Sequence, residues 1–184
     1  MTSIQVDSRT FDFPDGWLVT KYDDTAYYNN QFKGKVKKSH GLKKEMKALD
    51  LIALNPTDGM LYLIESKDYR TYRRQKKESP ADEYIHKVID TLTGILPTAL
   101  CGKRNSSGKH IDAGEDTLHR QLHLVNQLRM VLHFEQPQKS SKLFPHAYDL
   151  SDIQSKIRCE LGMIDKHALV VDANTQHKVP WMVN

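Results

Sequence analysis

Residues 48–67 read ALDLIALNPTDGMLYLIESK, two apolar runs separated by a turn sequence. Short apolar runs bounded by Asn, Pro, Asp and Gly predict two β-strands joined as a hairpin. If Asn55 and Met60 pair across the turn, a regular register places Asp50 directly opposite Glu65, with their Cβ atoms about 5 Å apart. A bulge in either strand would break this register.

Both acids stand among apolar residues, where an unpaired carboxylate is costly to bury. Side chains alternate across a strand, so Lys67 is expected on the same face as Glu65. The hairpin therefore predicts two carboxylates and an ammonium converging on one spot. The oxygens of the two carboxylates are ligands that suit Mg²⁺ or Mn²⁺. The alternative is a salt-bridged hairpin in which Lys67 only neutralises Glu65 or Asp68.

The segments after the hairpin predict an α/β fold. Residues 80–100 begin at Ser79-Pro80 and predict a helix, with Gly94 or Pro97 as candidate break points. Further helices are predicted over residues 116–127 and 149–161, the second closed by Gly162, and further strands over 128–134 and 167–171. Strand, helix, strand at the end predicts a parallel pair. We expect a single domain over residues 1–184, with a central mixed β-sheet flanked by helices.

The remaining segments carry weaker patterns. Residues 1–16 are predicted to be an irregular N-terminal segment that ends in a Pro-Asp-Gly turn. Asp23 or Asp24 is expected to cap a helix that runs to Phe32. A basic loop is predicted over residues 33–46 and an exposed loop over residues 101–114.

Composition excludes several classes of protein. A chain of 184 residues with 39% hydrophobic content can bury the core of one domain, and no run of residues is long and apolar enough to span a membrane. Two cysteines exclude a disulfide-dense secreted scaffold. The first residues show no signal-peptide pattern, so a cytoplasmic location without a membrane partner is predicted.

The net charge of +4 is unevenly distributed. Residues 33–77 hold 13 lysines and arginines and five acids, a net charge of +8, whereas the rest of the chain carries −4. A basic segment on a slightly acidic body is typical of a surface that binds a polyanion. The alternative is a solvated surface without a partner.

Residues 68–77, which follow the hairpin, form a strip of cations and tyrosines. Cations interleaved with aromatic rings suit contact with phosphates and unpaired bases. The predicted nucleic-acid contacts in this strip are Arg70, Arg73, Arg74, Lys76 and Lys77, and Lys43 and Lys44 are predicted to clamp the other side of a duplex. The alternative is an exposed linker before the next helix.

The hairpin and the helix after it resemble the PD-(D/E)xK nuclease superfamily, which has the restriction-endonuclease-like fold. The likeness rests on Asp50 and then Glu65-Ser66-Lys67, on consecutive strands, and its core order covers about residues 17–134. The residue before Asp50 is Leu49, where the fuller superfamily pattern has proline.

The resemblance implies metal-dependent hydrolysis of phosphodiester bonds, with DNA as the expected substrate and RNA left open. Asp50 and Glu65 would ligate Mg²⁺ or Mn²⁺, aided by the backbone carbonyl of Ser66, and Lys67 would orient or deprotonate the attacking water. An acid on an earlier helix is a frequent further ligand, for which Asp23 is the best candidate, followed by Asp24 or Glu45.

Two other functions are left open by the residues. One is a non-catalytic nucleic-acid-binding module or assembly subunit that keeps the nuclease fold. The other is a nuclease subunit that acts only as a homodimer or in a larger complex. No appended recognition domain fits in 184 residues, so a partner, a dimer or the loops are expected to supply specificity.

Overall fold

The computed structural model describes residues 1–33, 46–72, 74–101, 113–137 and 148–184. The strands are β1 Thr2–Val6, β2 Arg9–Phe13, β3 Leu18–Lys21, β4 Leu51–Asn55, β5 Met60–Asp68, β6 Gln127–Glu135, β7 Leu169–Val171 and β8 Met182–Val183. The α-helices in these ranges are α1 Pro80–Cys101, α2 Ala113–His123 and α3 Leu150–Asp165. None of the described helices has the length and apolar content needed to cross a membrane.

The larger sheet has five strands in the order β3-β4-β5-β6-β7. Strands β3, β4 and β5 are antiparallel neighbours, whereas β5, β6 and β7 run parallel, so the sheet is mixed as predicted. The hairpin register is also confirmed, because Asn55 pairs with Met60 and Leu51 pairs with Ile64. Helix α3 lies in the chain between the parallel strands β6 and β7, as the strand-helix-strand pattern predicts.

The hairpin turn depends on the side chains and the glycine within it. Asn55 Oδ1 accepts from Thr57 N at 3.1 Å, and Asp58 Oδ1 accepts from Met60 N at 2.9 Å. Gly59 has φ +68°, and a Cβ at this position would lie 2.5 Å from Asn126 Nδ2. Glycine is therefore required both by the backbone conformation and by the close approach of the segment before β6.

Alternation along the strands divides the core between the two faces of the large sheet. On one face, residues such as Ile52, Leu63 and Leu132 pack with apolar side chains of the three α-helices. On the other face, residues such as Ala53 and Ile64 pack against a second, three-stranded sheet. The prediction of a sheet flanked by helices thus holds for one face, because a β1-β2-β8 sheet covers the other.

The prediction of an irregular segment over residues 1–16 is wrong. Strands β1 and β2 form a hairpin there, and β2 also pairs with β8 near the C-terminus. Phe11 and Phe13 are fully buried, and they alternate with polar residues at the period of a strand. The strands are short and carry charged residues, which is why their pattern resembles a loop.

The predicted helix that runs to Phe32 is confirmed over residues 26–32, but neither Asp23 nor Asp24 caps it, because Tyr28 N donates to Thr25 Oγ1 at 3.1 Å. Residues 18–21 form β3, residues Tyr22–Asp24 form a 3₁₀ turn, and residues Tyr28–Phe32 form one turn of π-helix. In α1, the candidate break points Gly94 and Pro97 lie inside a continuous helix. Gly94 serves close packing instead, since a Cβ there would lie 2.6 Å from Tyr22 Oη.

The predicted loop over residues 101–114 is wrong at both ends. Cys101 belongs to α1, and Ala113 and Gly114 belong to α2, while residues 102–112 lie outside the described residues. Of the predicted basic loop over residues 33–46, residues 34–45 lie outside the described residues.

The buried His133 is expected to make the stability of the fold sensitive to acid. It is fully buried in β6, and Trp181 Nε1 donates to its Nε2 at 3.1 Å. Burial, with a smaller contribution from Arg9, lowers the pKa of His133 to about 3. A depressed histidine pKa contributes stability that is present above the unfolded-state pKa of about 6.5 and is lost as the pH falls toward 3.

We expect His133 to account for a loss on the order of 3 kcal/mol in the free energy of unfolding between pH 7 and pH 4. The variant His133→Gln cannot titrate in this range, so urea unfolding should show its stability approaching that of the wild type as the pH falls. A constant difference between the two proteins from pH 7 to pH 4 would contradict this expectation.

Candidate active site

Asp50 lies immediately before β4, at a point where the chain is held on several sides. The preceding amide, Leu49 N, donates to Thr91 Oγ1 of α1 at 3.0 Å, and Tyr22 N donates to the Asp50 carbonyl at 2.9 Å. Asp50 is buried, and its Oδ2 accepts from Ser66 N at 2.8 Å. This carboxylate thus continues the β4–β5 contact beyond the last backbone pair, Leu51 with Ile64.

Glu65 is the most buried acid of the site, with an exposed fraction of 1%. Its Oε1 lies 2.6 Å from Lys67 Nζ and 2.6 Å from Lys87 Nζ, whereas its Oε2 is buried without a hydrogen-bond partner. Burial, reinforced by the Asp50 charge, raises the pKa of Glu65 to about 7 against the opposing effect of the lysines. The site therefore holds a carboxylate with one oxygen free to accept a ligand.

Lys67 lies on the same face as Glu65, as strand alternation predicts. Burial acts to lower the pKa of Lys67, but the charges of Glu65 and Asp50 outweigh it and raise that pKa above its usual value. The structure thus confirms that Asp50, Glu65 and Lys67 converge. In this arrangement Lys67 is a protonated ammonium at neutral pH.

Lys87 is a member of this cluster that sequence reasoning missed. It projects from α1, and its Nζ lies 3.5 Å from Asp50 Oδ1 as well as 2.6 Å from Glu65 Oε1. A signal was available, because Tyr84, Val88 and Thr91 form a buried stripe on α1 at helical spacing, and residue 87 falls within it. A lysine on the buried face of a helix calls for a partner, by the same reasoning that singled out Asp50.

Asp23 lies in the 3₁₀ turn that follows β3, close to the carboxylate pair. Its Oδ1 is buried without a hydrogen-bond partner. Burial, then the charges of Asp50 and Asp24, raise the pKa of Asp23 to about 6. Asp23 is therefore part of the same electrostatic cluster, although it reaches the cluster from a turn and not from a helix.

An open cleft of about 420 Å³ gives access to this side of the cluster. Both acids and cations line it, so it can accommodate a ligand with separated charges. The lining residues are Asp23, Asp24, Tyr28, Asn29, Lys33, Met46, Lys47, Ala48 and Lys87. Among them, Asp24 pairs with Lys21 at 2.8 Å.

Ser66 points to the opposite face of the sheet from its two neighbours. Arg9 Nη1 lies 3.4 Å from Ser66 Oγ, and Arg9 Nη2 pairs with Glu135 Oε1 at 3.1 Å. Arg9 and Glu135 are each 5% exposed, so this ion pair is buried behind the site. Arg9 thus joins the second sheet to β6 through Glu135 and to β5 through Ser66, the residue between Glu65 and Lys67.

The predicted nucleic-acid strip is largely paired within the protein. Arg70 Nη2 lies 2.6 Å from Asp68 Oδ2, and Arg74 Nη2 lies 2.6 Å from Glu83 Oε2. The Arg74 side chain is 3% exposed, and Lys76 Nζ also pairs with Glu83. Arg74 is thus a buried structural residue in this structure, which disagrees with its predicted contact with a ligand.

Other predicted contacts are exposed or undescribed. Lys77 is exposed, so it is accessible to a ligand. Predicted site residues outside the described residues are Lys43, Lys44, Glu45 and Arg73.

The donors present fit a divalent metal ion by their chemistry. Within the described residues no group of three or more His, Cys, Asp or Glu side chains is placed so that it could hold a metal ion. Even so, Glu65 Oε2 and Asp23 Oδ1 are buried carboxylate oxygens without partners, and hard cations prefer such oxygens. Glu65 and Asp50, with Asp23 beside them, are the residues that could hold the ion.

Comparisons with known proteins give a likeness to part of a tRNA ligase. No family model matches the chain, and no solved structure matches it. Among curated proteins, the chain is similar to a cysteine–tRNA ligase from Neisseria meningitidis serogroup A, with 26% identity over an alignment of 211 residues. That alignment covers the whole chain and 30% of the ligase, so the chain spans less than a third of this relative.

Proposed function

We propose that this chain is a metal-dependent nuclease that hydrolyses phosphodiester bonds of DNA and has a restriction-endonuclease-like fold. The observation that carries the proposal is the convergence of Asp50, Glu65 and Lys67 on one face of the β4–β5 hairpin. The mixed sheet, with α1 packed over that face, is compatible with the proposed fold.

In this proposal Asp50 and Glu65 hold Mg²⁺ or Mn²⁺, the Ser66 carbonyl assists them, and Asp23 is a further candidate ligand. When bound, the ion would neutralise phosphate charge and lower the pKa of the attacking water. The unpartnered Glu65 Oε2 and Asp23 Oδ1 support this assignment, because hard cations prefer carboxylate oxygens of this kind.

Lys67 would provide fixed positive charge at the reacting phosphate. A protonated ammonium cannot accept a proton, so in the arrangement seen here Lys67 would orient the water and stabilise negative charge in the transition state. Removal of the ammonium should therefore slow the chemical step more than it weakens substrate binding.

A second candidate function is a non-catalytic nucleic-acid-binding module or assembly subunit. The observation that favours it is the pairing of Glu65 with two lysines, which already balances the charge of that carboxylate without a metal. The likeness to a cysteine–tRNA ligase adds RNA, and tRNA in particular, to the nucleic acids to be tested. A cytoplasmic location and a homodimer or larger complex remain part of the proposal.

The proposal is tested by incubating the full chain with duplex DNA, single-stranded DNA and tRNA, with Mg²⁺, with Mn²⁺ or with a chelator. We expect cleavage of DNA that requires the metal. The variant Lys67→Met should lower the rate by about a hundredfold or more, the usual effect of removing one group that stabilises transition-state charge.

The matched control is Lys178→Met, because Lys178 is an exposed lysine outside the proposed active site and the predicted nucleic-acid contacts. This control should cleave at a rate close to that of the wild type. Cleavage that is equal in wild type and Lys67→Met would identify a contaminant and overturn the nuclease proposal. Salt-dependent binding that is indifferent to metal and to Lys67, without cleavage, would support the non-catalytic module.

A further inference from the structure

Lys87 occupies the centre of the acidic cluster. Its Nζ contacts a carboxylate oxygen of Glu65 at 2.6 Å and one of Asp50 at 3.5 Å, and its side chain is 14% exposed. The side chains of Asp50 and Glu65 are themselves only 10% and 1% exposed. One ammonium therefore bridges the carboxylates of Asp50 and Glu65.

The contacts of Lys87 with both carboxylates reduce the repulsion between them. The Asp50 and Glu65 carboxylates repel each other, and burial strengthens the repulsion. Of the two acids, Lys67 lies within salt-bridge distance of Glu65, whereas Lys87 lies within that distance of both Glu65 and Asp50. Among the described cations, Lys87 is thus the one in salt-bridge contact with both acids.

A cation held between Asp50 and Glu65 would meet the same two carboxylates. An ammonium and a divalent ion cannot both be fully coordinated by the oxygens they share. Because both are positively charged, the presence of one also makes the binding of the other less favourable. The unpartnered Glu65 Oε2 and Asp23 Oδ1 show that the lysines leave acceptor capacity unused in the cluster.

We propose that Lys87 is a positioning residue that holds the Asp50–Glu65 pair together in the metal-free protein and competes with the divalent ion for it. Lys87 thereby weakens metal binding while keeping the carboxylates in place for the ion. The inference rests on the proposed function, because it assumes that Asp50 and Glu65 bind the metal.

The test is a calorimetric titration of the full chain with Mn²⁺, together with thermal unfolding of the metal-free protein. In Lys87→Gln and Lys87→Met, the dissociation constant for Mn²⁺ should fall by roughly tenfold, within the usual range of coupling between two sites. The metal-free variants should melt below the wild type, and Mn²⁺ should raise their melting temperature by more than it raises that of the wild type.

Two controls separate this effect from a general change of charge. Lys33→Gln removes a positive charge from an exposed lysine of the same cleft, and its Mn²⁺ affinity should stay within about twofold of the wild type. Lys87→Arg keeps the positive charge and should bind Mn²⁺ as the wild type does.

The outcomes distinguish the inference from the proposed function. Mn²⁺ affinity that is unchanged or weaker in both uncharged variants, with metal-dependent cleavage intact in the wild type, overturns the role of Lys87 alone. An equal gain in Lys33→Gln also overturns it, because the effect would then be one of net charge. Absence of Mn²⁺ binding in every protein, together with absence of cleavage, overturns both.

Discussion

Asp50→Asn is expected to lower the rate of metal-dependent cleavage by about a thousandfold, equivalent to about 4 kcal/mol of transition-state stabilisation. The substitution preserves the shape of the side chain, and an amide oxygen can still accept the hydrogen bond that Ser66 N donates to Asp50 Oδ2. What it removes is the negative charge that the proposed metal ion requires. The loss should therefore appear in catalysis and not in folding.

The measurement is single-turnover cleavage at saturating Mn²⁺, with thermal unfolding of the same protein samples. Asp152→Asn is the control, because Asp152 is an exposed acid in the first turn of α3. Wild-type cleavage by Asp50→Asn would remove Asp50 from the active site. A folded variant without activity, beside an active Asp152→Asn, is the predicted result.

Glu83→Gln is expected to destabilise the protein by about 3 kcal/mol or more. Glu83 is 2% exposed and pairs with both Arg74 and Lys76. These two cations lower the pKa of Glu83 to about 2 despite the opposing effect of burial. Removing the carboxylate leaves the guanidinium of Arg74, only 3% exposed, as an uncompensated buried charge.

The matched control is Arg70→Gln, which breaks the Arg70–Asp68 pair. The Arg70 side chain is 53% exposed, and an exposed pair contributes at most about 1 kcal/mol. Urea unfolding at pH 7 measures both free energies of unfolding. If Glu83→Gln costs no more than Arg70→Gln, then the Arg74–Glu83 pair does not stabilise the fold, and Arg74 becomes available again as a nucleic-acid contact.

The hairpin could be predicted from the sequence because its determinants are local. The turn residues around Gly59 define where the strands meet, and the apolar runs on each side define their length. The approach of Asp50 to Glu65 is then expected from the register, and the requirement of a buried acid for a partner follows from elementary electrostatics. These steps need no information from distant parts of the chain.

The ion pairs that the cations of the basic strip form within the protein could not be predicted in this way. Arg74 and Lys76 look like surface cations in the sequence, and only the packing of α1 after β5 brings Glu83 to them. Likewise, β1 and β2 have a meaningful pattern only once β8, near the other end of the chain, is known to pair with β2. The pairing of β2 with β8 joins residues far apart in the sequence. The contacts of Arg74 and Lys76 with Glu83 depend on how the chain turns between β5 and α1.

Lys87 is an intermediate case. Its position within the buried stripe of α1 is visible from helical spacing, but its partners are defined by the way α1 crosses the hairpin. Applying the test for buried charge to helices as well as strands would have singled it out. The acids of a candidate site should therefore be considered together with lysines on the apolar faces of neighbouring helices.

The most direct test of a metal site between Asp50 and Glu65 is the anomalous difference density of a crystal grown with Mn²⁺. A peak within coordination distance of carboxylate oxygens from both residues, with Lys87 Nζ moved away from at least one of them, is the predicted result. A crystal in which both carboxylates keep their contacts with Lys67 and Lys87, and in which Mn²⁺ binds elsewhere or nowhere, would contradict it.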